Sequence, residues 1–147
     1  FYTDLMIHVS SRISTSSGSS EQLYLRFNGD SSSIYSTTRI YGGASTASDR
    51  QSGAGGIIAG GTNATGATAN TFALCSIYIP NFAGNNYKST ISEQAAENNS
   101  TDAYVALNAG LYRSTNAISS ITFVSQSGNP FVQYSTFSLY GILRPGA

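Results

Sequence analysis

Apolar and polar side chains alternate one by one along most of the chain, the rhythm of a half-buried β-strand. Near the start, Leu5, Ile7 and Val9 take turns with Asp4, Met6, His8 and Ser10. After a Ser/Gly/Thr loop over residues 14–20, Leu23, Leu25 and Phe27 alternate with Tyr24 and Arg26, and the run ends in Asn28, Gly29 and Asp30. Asn-Gly is a strong turn signal because both residues accept positive φ. A third run sets Tyr35, Thr37, Arg39 and Tyr41 against Ser36, Thr38 and Ile40. The closing stretch holds two more strands, one around Ile121 and Phe123 and one around Phe137 and Leu139, separated by the turn formers of residues 125–130. The nearly uncharged run 137–142 predicts a core strand paired with an early part of the chain, since so apolar a terminal segment is stable only inside a sheet.

The middle is less regular. Residues 42–70 are mostly Gly, Ala, Ser and Thr, with one apolar island at Ile57 and Ile58 that fits a short strand. Residues 70–80 form the clearest strand: Phe72, Leu74 and Tyr78 point one way and Cys75, Ile77 and Ile79 the other, until Pro80 ends the run. Apolar side chains on both faces predict a central strand covered on two sides. A turn over 81–86 leads into a more polar, edge-like strand over 87–95, then a loop over 97–102. Residues 104–112 read as a strand, although Val105, Leu107, Ala109 and Leu111 include enough Ala to leave helix open. Eight or nine strands without a convincing helix predict an all-β, antiparallel β-sandwich, jelly-roll-like, in one domain spanning residues 1–147.

Composition narrows the function classes. Only 10% of residues are charged, seven basic and seven acidic, for a formal net charge of zero. A nucleic-acid partner, which calls for a basic patch, is not indicated. No apolar run approaches the roughly 20 residues of a membrane helix, so no membrane partner is expected either. A surface of Ser, Thr, Asn and Gly near zero charge lacks the usual barrier to self-association and suits a protein that lives in an assembly. The lone Cys75 excludes an internal disulfide and a Cys-based metal site, and reads as a small buried hydrophobe.

Candidate chemistry is sparse. The only histidine, His8, falls opposite Leu5, Ile7 and Val9, hence on the outer face or at an interface, and no Gly-x-Ser-x-Gly elbow surrounds any serine. Glu93, Glu97 and Asp102 are the acids a glycosidase-like depolymerase would draw on; a solvated edge is the favoured account of them. Asp30 fits turn chemistry better than a calcium site, and the glycines at 53, 55, 56, 60 and 61 make no phosphate cradle. No cofactor or metal is therefore expected, and the chain reads as a non-enzyme. Asn63, Asn98 and Asn99 each open an Asn-x-Ser/Thr sequon, a match expected by chance in so Asn- and Ser-rich a chain. Ten Tyr and seven Phe carry more weight. Tyr24, Tyr35, Tyr41 and Tyr87, with Asn85 and Asn86, are the candidate surface contacts, because exposed Tyr suits both subunit contacts and sugar stacking. Burial on the far face of the sandwich is the alternative for these rings.

Several segments resemble a family of tailed-bacteriophage virion proteins. These are residues 2–12, Leu23-Tyr-Leu-Arg-Phe-Asn-Gly-Asp30, Ile77-Tyr-Ile-Pro-Asn-Phe-Ala-Gly84, Gly110-Leu-Tyr-Arg113 with residues 118–123, and Phe137-Ser-Leu-Tyr-Gly-Ile142. They follow the family's order over nearly the whole chain. The resemblance implies a structural protein of the virion exterior and carries no catalytic residue over. Its expected partners are other virion proteins, major capsid or tail proteins, and further copies of itself, with a trimer expected; a host-surface glycan is a further candidate. Similar sequences hold a short extra segment before Tyr2, so a gap in the sheet or a missing arm is expected here. Capsid decoration is the first functional expectation, and a receptor- or carbohydrate-binding module of a tail fibre or tail tip is the second.

Overall fold

The computed structural model describes residues 1–99 and 102–144. Ten strands are present: β1 (Asp4–Ser11), β2 (Ser20–Phe27), β3 (Tyr35–Gly42), β4 (Thr46–Ala54), β5 (Ile57–Asn63), β6 (Ala73–Ile79), β7 (Lys88–Ala96), β8 (Tyr104–Tyr112), β9 (Ile121–Ser125) and β10 (Thr136–Ile142). They form the expected antiparallel sandwich, divided unevenly. The large sheet has seven strands in the order β10-β1-β6-β7-β8-β3-β4, and the small sheet has three, β5-β2-β9.

Alternation places the core. Leu5, Ile7 and Val9 of β1 and Cys75, Ile77 and Ile79 of β6 face Leu23, Leu25 and Phe27 of β2 and Ile57 of β5, all of them buried. Each such side chain contributes about 1.5–3 kcal/mol relative to staying in water. At one end the rings of Tyr35 and Tyr112 stack with centroids 5.0 Å apart, and Phe27 lies 5.3 Å from Tyr112. Asn28 and Gly29 take the predicted positive φ, 55° and 68°, directly after β2. Asp30 follows as a turn residue, accepting from the Ser32 amide and hydroxyl.

Tyr35 is not a surface contact. It starts β3 on the inward side and is 0% exposed. Its hydroxyl donates to the Asp30 carbonyl (2.9 Å) and accepts from the Phe27 amide (3.0 Å). Burial pushes the phenol up to about 12. Tyr35→Phe leaves the buried Phe27 amide without its partner and is expected to cost about 1–3 kcal/mol in urea unfolding. Tyr24→Phe, at a half-buried ring whose hydroxyl donates to Gln22, serves as the near-neutral control.

Three further expectations change. Residues 42–70 contain two strands: β4 as the hairpin partner of β3, and β5, which begins at the Ile57–Ile58 island. β4 carries almost no buried side chain, so nothing in its sequence marks a face. The polar β7 is not an edge; it lies between β6 and β8. Its inward side chains Lys88, Thr90, Ser92 and Gln94 are polar and buried; Lys88 Nζ donates to the loop carbonyls of Asn86 and Ser114, and Ser92 to the backbone of β5. β5 bulges at Ala59, where the β2 register shifts, and its carbonyl turns into the core. Ser92 Oγ (2.7 Å), Cys75 Sγ (3.0 Å) and Asn108 Nδ2 (3.3 Å) all donate to it. An inward carbonyl needs such donors, since an unpaired buried polar group costs more than the bond returns.

β10 does pair with β1, as predicted, but it is an edge strand and not a core strand. Phe137 and Leu139 stand across from Val9 and Ile7 on the inward face; Phe137 packs against Phe123 of β9 and Phe131, with ring centroids 5.1 and 5.0 Å away, while Leu139 at the rim remains 59% exposed. Asn63 is buried and donates through Nδ2 to Thr71 Oγ1 (3.0 Å), which removes its sequon from the surface. The sequons of Asn98 and Asn99 run into residues 100 and 101, outside the described residues.

Candidate functional site

Two surfaces stand out, one concave and one flat. The concave one is a half-open cleft of about 420 Å³ beyond the rim of the small sheet, where the inward face of β3 is left uncovered. Glu21 and Gln22 enter it from β2, Arg39 and Tyr41 from β3, Tyr104 from the start of β8, and Gln126 from the turn after β9. Alternation dictates the β3 pair, since Arg39 and Tyr41 share the phase of the buried Tyr35 and Thr37.

Arg39 is held on two sides. Its Nε and one Nη donate to the two oxygens of Asp49, directly across on β4, both at 2.6 Å. Its guanidinium carbon lies 4.8 Å from the Tyr41 ring centroid. The Asp49 contact raises the Arg39 pKa and holds the Asp49 carboxyl below its usual range. Glu21 accepts from the Ser127 amide and from Asn129 Nδ2, each at 3.2 Å. The Tyr104 hydroxyl rests against Gly61, where any Cβ would collide with it. The arrangement offers ring edges and fixed hydrogen-bond groups, with the Arg39 charge neutralised by Asp49 and two carboxylates, Glu21 and Asp102, in the lining, chemistry suited to a hydroxyl-rich ligand.

The predicted contact residues do not converge on one place. Tyr41 belongs to this cleft. Asn85, Asn86 and Tyr87 are exposed together on the turn before β7, at the opposite end of that strand. Asn86 Nδ2 donates there to the Tyr87 carbonyl (2.7 Å), and Lys88 Nζ donates to the Asn86 carbonyl (2.5 Å). Tyr24 is half-buried on the face of β2 turned away from the core, and Tyr35 is buried. Of the acids considered for hydrolysis, Glu93 lies exposed on the outer face of β7, Glu97 lies past the strand end, bonded to the Asn99 amide, and Asp102 lines the cleft, accepting from the Ser19 hydroxyl. They do not face each other across a pocket. His8 is exposed on β1, as predicted, with Nδ1 2.9 Å from Ser76 Oγ. Glu93 lies across from Ser76 and not beside the imidazole, so the order a Ser-His-acid triad needs is not met.

No family model, curated protein or solved structure matches this chain.

The flat surface is the outer face of the large sheet, which the sequence reading missed. In β8 the apolar phase Val105, Leu107, Ala109 and Leu111 points outward, and the phase containing Asn108 and Gly110 points inward. β7 repeats the inversion, with Ile91 outward and Ser92 and Gln94 inward. Register joins the outward set: Ile40 stands across from Leu107, Val105 from Ala95, and Ala95 from Leu74. Val105 is 61% exposed, Ile40 58% and Leu74 56%. Apolar residues on both faces of β6 were the signal in the sequence, since one sheet above the core accounts for only one of its two faces.

Proposed function

We propose that the protein is a non-enzymatic structural module of a particle exterior, as its resemblance to tailed-phage virion proteins implies, with capsid decoration ahead of a tail position. The observation that carries this reading is the inverted phase of β7 and β8. Two central strands that direct Ile91, Val105 and Leu107 to solvent and polar side chains to the core present a face for protein contact. Exposed apolar patches of this extent on soluble domains mark interaction surfaces. The near absence of charge on that face suits broad, shallow contacts repeated by symmetry, where individually weak contacts sum through multivalency. The partners under this reading are major capsid or tail proteins and further copies of the chain.

Counting copies per purified virion tests it. Hundreds of copies are expected for decoration; a handful would place the protein in the tail, and none would overturn the reading. The cleft favours a second reading, a carbohydrate-binding tail module, because it joins Tyr41 and Tyr104 to fixed polar groups. A glycan array in which Tyr41→Ala abolishes a signal supports it, and an array without any signal removes it.

A further inference from the structure

We propose that the outer face of the seven-stranded sheet is the interface with a second copy of this chain, packed sheet against sheet about a twofold axis. The inference rests on the reading of this face as an assembly surface and names what covers it.

Three observations select a second copy. The first is shape. Two sheets of the same right-handed twist pack face to face at about −30°, roughly 10 Å apart, so this sheet is complementary to itself in the way the halves of a sandwich are. The second is area. Six spacings of about 4.8 Å by strands of roughly 27 Å give about 800 Å² per copy, the amount that each partner of a standard stable interface buries. The third is charge. Away from the corner where Arg144 pairs with Asp4, the face carries Glu93 on β7 and Arg50 on the edge strand β4, one of each sign. An isologous contact sets a face against itself, so a face dominated by one sign would repel its copy. The two signs cancel over the face, and the twofold axis must pass to one side of Glu93, which on the central strand β7 would otherwise meet its own copy. A disulfide is not the link, because Cys75 is buried in the core and its thiol is pushed up to about 12.

Sedimentation velocity of the full chain over a wide dilution series tests the proposal. The native chain is expected to form a dimer in place of the trimer that the resemblance implies. Leu107→Lys places an ammonium in the centre of the contact twice, once per copy, and is expected to weaken self-association about 100-fold or more. Within one chain the new Lys stands beside Glu93, and Leu107 is already half exposed, so the thermal midpoint is expected to hold. Leu74→Lys, two strands away on the same face, is expected to act in the same direction. Thr122→Glu, exposed on the small sheet, is expected to leave the dimer intact. A monomeric native chain, or a dimer insensitive to both Lys variants, overturns the inference. If the native chain is monomeric while Leu107→Lys is lost from particles, the face binds another protein: the second copy falls and the assembly reading stands. If particle incorporation is also unaffected, both fall.

Discussion

Gly110→Val is expected to lose about 3 kcal/mol or more of unfolding free energy, at the upper end of what overpacking a core costs. Valine is a better strand former than glycine, and propensity alone predicts a gain of up to about 1 kcal/mol. Sterics outweigh it. Gly110 sits in the middle of β8 between Thr37 of β3 and Thr90 of β7, on the inward face. A Cβ there would lie 2.5 Å from Thr90 Oγ1 and 3.0 Å from Ile57 Cδ1, and nearer still to Ile57 Cγ2. Ile57 is buried at the start of β5 and cannot move without lifting the small sheet off the large one. From the other layer, Gly60 makes the reciprocal approach, its missing Cβ 3.2 Å from Cys75 Sγ. The two layers therefore meet at glycines, and backbone closeness there replaces side-chain bulk. Ala109→Val, one residue earlier and facing outward, is the control and is expected to stay within about 0.5 kcal/mol. Urea unfolding measures both. Equal midpoints for Gly110→Val and the native chain would mean that β5 does not lie over β8.

This contact also explains what the sequence could and could not show. β1, β2, β3, β9 and β10 were legible because each alternates, β6 because it is an apolar run ended by Pro80, and Asn28-Gly29 punctuates as its backbone requires. β4 was not legible, because it hangs from β3 beyond the reach of the small sheet and no face of it is buried enough to select apolar residues. β5 was half legible: Ile57 and Ile58 are visible, but Ala59, Gly60 and Gly61 are small because the layers touch there. β7 was misplaced to an edge for the same underlying reason. Its inward Ser92 serves the carbonyl that the Ala59 bulge turns into the core, and a polar side chain serving a backbone acceptor reads, in sequence, like one facing water.

The cleft was legible only in part. Tyr41 was selected for its ring and exposed-looking neighbours. Arg39, in the same phase, gains its meaning from Asp49, which is its neighbour only once the β3–β4 hairpin exists. Tyr104, at the start of β8, and Gln126, on the turn after β9, arrive from far away in the chain. The outer face was hidden by an assumption: alternation identifies two faces but does not say which one is inside. In β7 and β8 the more apolar phase was free to be the outer one, because the inner one had a carbonyl to satisfy.

Asp4→Asn is expected to lower the thermal midpoint by roughly 5 to 10 °C at neutral pH, with the gap to the native chain narrowing below about pH 4. Asp4 opens β1, and its side chain is almost wholly enclosed. One carboxylate oxygen accepts from an Arg144 Nη (2.6 Å) and the Asn81 amide (3.0 Å); the other accepts from the Tyr78 hydroxyl (2.5 Å) and Arg144 Nε (2.9 Å). A single carboxylate thus ties the end of β10, the end of β6 and the turn after it to the first strand. The Arg144 bonds, with help from Tyr78 and Asn81, hold the carboxyl well below the ordinary value of 3.8 against the opposing effect of desolvation. The folded chain therefore binds this proton less readily than the unfolded chain. The stabilisation is complete above the unfolded value, near pH 4, and is lost as pH falls from there toward the folded one. Asparagine keeps one acceptor but turns an amide N–H₂ toward the Arg144 guanidinium, so donor faces donor. Melting curves at neutral pH and at successive steps below pH 4 separate charge from shape. A difference that stayed constant across that series would mean that the ionised carboxylate contributes nothing and that Asn simply packs badly. Arg144→Met, which removes the cation and leaves Asp4 enclosed with Tyr78 and Asn81, is expected to reproduce the pH dependence from the other side of the pair.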